Sequence, residues 1–271
     1  MTEEVKTVKS EETKEEVQIA DMELLQEMAE AGVLFGRKKT KTHPRMKRFI
    51  FITRNGSEIL DLEKTIKYLE KAGEVIKSLA QKKAVILFVG TTPAAKELVK
   101  NLAEKYGFPY VTERWLGGTI TNFKTLSKRL QYFIKLKNDR EMGRLAKYTK
   151  KEQSDFDKEI IRMTPMFGGL EKLERVPDAL FVVGSTSHQT AIREARRMDI
   201  PVISILSSDA NPEEIQYPIP ANDRARSSIA WILSVLEKKI IEGKNAPIVE
   251  VSREAPQEKS TESQTEENKV Q

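Results

Sequence analysis

The chain has 271 residues, 32% charged and 39% hydrophobic, with a formal net charge of +5 and no cysteine. That length holds one large domain or two small ones. The lack of cysteine excludes disulfides, thiolate metal sites and cysteine nucleophiles, and no apolar run approaches the ~18 residues of a membrane helix.

Met1 to Ala20 carries three Lys against six Glu, and Ser252 to Gln271 three basic against five acidic residues. Both stretches are poor in aromatics, so they are expected to be disordered and dispensable for folding. No signal-peptide pattern opens the chain. Without these tails the net charge is +10, which suggests a polyanionic partner.

Asp21 to Ala31 reads as a short amphipathic helix ended by Gly32. Gly36 to Arg54 then holds eight Lys or Arg and no acid. Phe49 to Ile52, the Asn55-Gly56 pair and Ile59-Leu60 read as a β-hairpin, because both positions of its two-residue turn need φ > 0. Asp61 caps a helix running to Gln81. Ala84 to Val89 has the composition of a buried parallel strand. Gly90-Thr91-Thr92-Pro93 leads into a helix to Tyr106, with Thr92 at the N-cap and Pro93 at the first helical position. Phe108 to Val111 is a further strand.

Arg114-Trp115-Leu116-Gly117-Gly118-Thr119-Ile120-Thr121-Asn122-Phe123 divides the α/β pattern. Gly117-Gly118 permits a sharp turn at φ > 0, and Thr119, Thr121 and Asn122 each offer an oxygen to cap the following helix. One reading is a corner packed on the core. The other is a hinge at Trp115, Gly117 and Gly118 that launches a protruding element. The stretch has no nucleophile-base pair.

Beyond it Phe123, Leu126, Leu130 and Phe133 face Phe156, Ile160, Met163, Phe167 and Leu170 in a heptad-like seam, the pattern of an antiparallel helical hairpin. Lys124 to Lys151 carries ten basic residues against two acids. Pro165 and Gly168-Gly169 are expected to break the returning arm near its base. Strands over Asp178 to Val183 and Pro201 to Leu206 follow, with a helix from His188 to Met198 capped by Ser187 between them. Gln216 to Pro220 is extended and Asp223 to Ile241 is the last helix. Alternating elements of this length favour a parallel sheet with helices on both faces.

Phosphate-enzyme chemistry has little support. Gly90-Thr91-Thr92-Pro93 supplies one glycine where the dinucleotide fingerprint needs three, and no Gly-Lys-Ser/Thr is present. Gly184-Ser185-Thr186-Ser187 suits a phosphate cradle or an ordinary capped turn. His43 and His188 lie far apart, which disfavours a zinc site. Asp209 with Asn211 suits a hard cation or turn chemistry. The basic stretches, each of net +8, are either solvated faces or phosphate ligands.

The sequence resembles the bacterial small-subunit ribosomal protein two family from about Met22 to Glu242. The residues that carry the likeness are Gly32-Val33-Leu34-Phe35-Gly36, Pro44-Arg45-Met46, Arg54-Asn55-Gly56, Ile59-Leu60-Asp61-Leu62, Leu87-Phe88-Val89-Gly90-Thr91, the Arg114–Phe123 stretch, Pro177-Asp178-Ala179-Leu180-Phe181-Val182, Ile200-Pro201-Val202-Ile203 and Tyr217-Pro218-Ile219-Pro220-Ala221-Asn222-Asp223. The resemblance implies an α/β, flavodoxin-like parallel sheet with helices on both faces and an inserted, protruding α-helical hairpin. It also implies a non-enzymatic structural constituent of the small ribosomal subunit in the cytoplasm. That constituent binds small-subunit ribosomal RNA, sits among neighbouring ribosomal proteins and helps recruit small-subunit ribosomal protein one. No cofactor, metal, membrane or small-molecule substrate is expected. The long hairpin matches the bacterial and organellar branch. Two departures stand out. The family's Gly-x-His-Phe-Gly-His has Leu34 and Arg37 at its histidine positions here, and its Asp-Thr-Asn loop reads Ser207-Ser208-Asp209-Ala210-Asn211. A role for the histidine pair is therefore not carried over, and a metal site in that loop loses its support.

The chain is thus expected to divide into a tail over 1–20, a first α/β part over 21–118, the hairpin over 119–170, a second α/β part over 171–243 and a tail over 244–271. The RNA ligands expected are Arg37, Lys38, Lys39, Lys41, Arg45, Lys47 and Arg48 in the first basic stretch, and Lys124, Lys128, Arg129, Lys135 and Lys137 in the second. The rival reading is a sugar-phosphate or nucleotide-binding α/β enzyme.

Overall fold

A computed structural model describes residues 22–246. The expected tails over 1–20 and 252–271 lie outside the described residues. The parallel sheet contains β4 (Ile86–Val89), β5 (Tyr110–Val111), β6 (Ala179–Val183), β7 (Val202–Leu206) and β8 (Tyr217–Pro220). Their order is β5-β4-β6-β7-β8 and every pairing is parallel. This is the flavodoxin-like order, with its topological switch between β4 and β6.

Side chains alternate across the sheet, so each strand serves two cores. Ile86, Phe88, Phe181, Ile203 and Ile205 face α2 (Leu62–Gln81), α3 (Pro93–Tyr106) and α7 (Arg226–Asn245). Leu87, Val89, Leu180 and Val182 face the other way. There they meet α6 (Gln189–Arg197) and the inner residues of α4 (Phe123–Glu141) and α5 (Lys150–Phe167). A first helix, α1, covers 22–30 and buries Met28 in the α2–α7 core.

A second, antiparallel sheet has the order β1-β3-β2, from Phe35–Lys38, Ser57–Leu60 and Ile50–Arg54. The expected hairpin is β2–β3, and Asn55 and Gly56 have φ of 51° and 72°. β1 was not legible, because Phe35-Gly36-Arg37-Lys38 shows no clean alternation and meets β3 across an irregular register.

Several local expectations are corrected. Pro165 lies inside α5 without breaking it, and the helix ends at Phe167, where Gly168-Gly169 break the arm as expected. Thr119, Thr121 and Asn122 do not cap α4: Asn122 occupies the N-cap without a side-chain bond, and the Thr119 hydroxyl donates to the Leu116 carbonyl. The Ser187 cap is absent because a 3-10 turn over Ser185–His188 precedes α6. α7 starts at Arg226 and continues to Asn245, past the expected end at Ile241 and across the expected boundary at 243.

α4 and α5 run in opposite directions. Phe133 packs near Phe167, with ring centroids 6.1 Å apart, and Arg140 pairs with Asp157 at 3.0 Å. Leu130, Phe133, Met163, Phe167 and Leu170 continue the sheet's second core, which anchors the base of this pair.

Candidate nucleic-acid interface

At the switch point a histidine ring occupies the space between the strand ends. The imidazole of His188 spans the gap between the two strand ends, with Nδ1 2.8 Å from the Gly184 carbonyl and Nε2 3.0 Å from the Thr91 hydroxyl. Burial lowers its pKa, against the Gly184 bond, so the neutral ring is favoured. The nearby cleft, which Ser185, Asp209 and Asn211 help to line, measures about 140 Å³. Small-molecule pockets start at roughly 300 Å³. Asn211 performs turn chemistry: its Oδ1 accepts from the Glu213 N–H and its Nδ2 donates to Glu214. Among the described residues no group of three or more His, Cys, Asp or Glu could hold a metal ion.

The basic side chains divide into two kinds. Arg37, one of the expected RNA ligands, is only 13% exposed and lies between two carboxylates. Nη2 donates to Asp223 Oδ1 at 2.7 Å, and Nε lies 3.3 Å from Asp209 Oδ2. The backbone helps: the Arg37 N–H donates to the Ser208 hydroxyl at 2.7 Å and the His43 N–H to the Ser208 carbonyl at 2.8 Å. These bonds seat β1 and the turn after it on the loops that follow β7 and β8. Burial pushes the Asp223 carboxyl up to about 6; Arg37 opposes the rise and Asp209 adds to it. Arg45 pairs with Glu213, and Lys137 with Glu171 at 2.9 Å.

Lys38, Lys39, Lys41, Lys47 and Arg48 are exposed, as are Lys124, Lys128, Arg129 and Lys135 on α4. None of them forms an ion pair among the described residues, and Arg48 lies 4.9 Å over the Phe49 ring. His43 is half-buried, and its Nδ1 accepts from the Arg45 N–H. Glu58, the one acid in β3, is buried and accepts from the Thr42 and Thr53 hydroxyls.

The antiparallel sheet also presents an organised outer face. Phe35, Ile59 and Ile52 are in register across the three strands, and Lys38, Ser57 and Arg54 form the next row on the same side. Phe35 and Ile52 are each 52% exposed. An apolar row therefore lies beside a basic one.

The central stretch is held by Glu194 on α6, which sequence reasoning missed. Its carboxylate accepts from Trp115 Nε1 at 3.0 Å, the Gly118 N–H at 2.8 Å, the Ile120 N–H at 3.0 Å and the Thr121 N–H and hydroxyl, each at 3.3 Å. Burial pushes this carboxyl up, yet those donors together bring it below its usual value. The signal was faint: a glutamate beside Ala191, Ile192 and Ala195 on the buried stripe of α6. Gly118 has φ +88°, whereas Gly117 lies outside the left-handed region with open space where a Cβ would go. Only one of the two glycines is needed for the turn.

A family model described as ribosomal protein S2 matches residues 28–243. The small ribosomal subunit protein uS2 of Dehalococcoides mccartyi is 38% identical over 222 residues, covering 82% of this chain and 91% of that protein. The small ribosomal subunit protein uS2 of Dictyoglomus turgidum is 40% identical over 222 residues, covering 82% and 90%.

Proposed function

The chain belongs to the ribosomal protein S2 family, and on that premise we propose that it grips ribosomal RNA through two clusters of exposed cations, unpaired among the described residues, and offers an adjoining surface to a protein partner. As a family member it is a structural, non-enzymatic constituent of the small ribosomal subunit, and so of the cytoplasm.

The observation that carries the RNA reading is the set Lys38, Lys39, Lys41, Lys47 and Arg48 with Lys124, Lys128, Arg129 and Lys135: exposed, and without an acidic partner among the described residues. A cation already neutralised by a buried carboxylate releases few counterions on meeting a phosphate, whereas a free one contributes fully. Arg37, Arg45 and Lys137 are therefore weaker candidates than their neighbours. Such contacts hold and orient RNA with little base readout. In this reading residues 119–170 act as an arm inserted in the α/β body, and α4 carries the second cluster along it. The hinge assigned to Trp115, Gly117 and Gly118 becomes a fixed corner, because Glu194 ties it to α6.

Recruitment of small-subunit ribosomal protein one is the finer part of the proposal. The Phe35–Ile59–Ile52 row suits it, since exposed apolar area flanked by Lys38 and Arg54 fits an acidic, amphipathic protein segment better than a phosphate backbone.

The test is binding of the purified full chain to small-subunit ribosomal RNA across a salt series. Co-sedimentation of protein one is then measured with subunits carrying Phe35→Ala and Ile52→Ala. A flat salt dependence would remove the phosphate-contact reading. Undiminished co-sedimentation would remove the role of the apolar row.

A further inference from the structure

A second surface has no part in RNA binding as proposed above. A cleft of about 610 Å³ opens at the edge of the parallel sheet where β4 and β5 begin. Ala84, Val85, Phe108 and Pro109 give it apolar walls, and the ends of α2, α3 and α7 close around them. At one side Lys244 reaches across, its Nζ donating to the Tyr106 carbonyl at 2.9 Å and lying 5.1 Å from the Tyr106 ring centroid and 5.2 Å from that of Phe108.

We propose that this cleft is the seat of the chain's own segment Pro247-Ile248-Val249-Glu250-Val251. Three observations select that occupant. The described chain ends at Ala246, which is itself part of the cleft wall, so the segment that follows is tethered at the cleft. The five residues that follow are apolar except for Glu250, and the polar, charged stretch begins only at Ser252. Lys83 and Lys172 line the cleft and form no ion pair among the described residues, which leaves two cations for the single acid of the segment.

The geometry is permissive. Five extended residues reach about 17 Å, enough to line a cleft of this volume without straining the link to α7. α7 ends at Asn245 and Ala246 is already extended, with φ −73° and ψ 143°, so the chain leaves the helix axis at the cleft wall. Tethering makes the contact intramolecular, with an effective concentration on the order of millimolar, so modest apolar contacts suffice. The segment would then join the C-terminal end of α7 to the start of the two strands at the sheet edge.

The absence of cysteine from the chain makes the test clean. A full-length chain carrying Ala84→Cys with Val249→Cys is oxidised mildly, and the intrachain disulfide is followed on non-reducing gels. Ala84→Cys with Thr261→Cys is the control for a tail that merely passes by. The seated segment predicts closure about tenfold faster for the first pair. Separately, a chain ending at Val251 should melt with the full-length protein, and one ending at Ala246 should melt several degrees lower. Equal closure rates, or equal melting of the two shortened chains, would overturn the proposal. A disulfide forming only between two molecules would also overturn it and give the cleft to a second copy.

Discussion

The Glu194 carboxylate accepts the backbone N–H of Gly118 at 2.8 Å, so a residue 76 positions downstream shapes the corner from which α4 departs. The same carboxylate serves Trp115, Ile120 and Thr121. Replacing it strands several donors in a buried setting, each of which costs about 1–3 kcal/mol when unpaired. Glu194→Ala should therefore destabilise the fold by about 3 kcal/mol or more. Glu194→Gln keeps one acceptor and should cost less. Urea melts followed by tryptophan emission would check both, since Trp115 loses its acceptor in the alanine variant. The depressed pKa adds a pH signature: this stabilisation is present above the unfolded glutamate value and is lost as pH falls through the lower folded value.

Asp223 makes the opposite contribution. Its folded pKa is about 6 against 3.8 for the free carboxyl, so the native state binds the proton more tightly than the unfolded chain. By linkage, stability from this group is greatest below about pH 4 and declines as pH rises towards 6. The pKa difference of about two units corresponds to up to roughly 3 kcal/mol. Asp223→Asn should flatten the pH dependence of the melting midpoint between pH 4 and 7. A variant with the parent's slope would show that the ion pair with Arg37 outweighs burial.

The division of cations predicts unequal effects on RNA binding. Replacing Lys38, Lys39 and Lys41 by Ala should make the log–log salt slope shallower by about 2 if all three engage irregular RNA. The melting midpoint should barely move, because the three side chains are exposed. Arg37→Gln should do the reverse. It leaves Asp209 and Asp223 without their shared cation, a loss of the kind that costs about 3–5 kcal/mol when a buried pair is broken, and it leaves the salt slope of the folded fraction as before. A slope change in Arg37→Gln as large as that from one lysine would return Arg37 to the phosphate ligands.

Gly169 fixes how the returning arm meets the sheet. A Cβ there would land on the Tyr110 carbonyl oxygen and within 2.6 Å of the Tyr110 ring. Strand β5 supplies that backbone atom, so it cannot turn aside as a flexible side chain would. Gly169→Ala should cost about 1–3 kcal/mol, and Gly117→Ala, which meets open space, close to none. Thermal melts of the two variants side by side would decide it.

Local patterns in the sequence were enough to reveal most of the elements and the family. The apolar run ending at Val89, the capping Asp61 and the Asn55-Gly56 turn each declare themselves within a few residues, because helix, strand and turn preferences act over that range. The charge map was legible for the same reason. What the sequence could not show depends on residues brought together from far apart. Lys38 and Arg37 are neighbours of equal charge, yet one is exposed and the other lies between Asp209 and Asp223, 172 and 186 positions away. Glu194 reads as one more charge on a helix until folding places Gly118 and Trp115 against it. β1 becomes a strand only because β3 supplies its partner. Which cation is spent inside the molecule and which stays exposed is set by those long-range pairings, and so only the tertiary structure decides it.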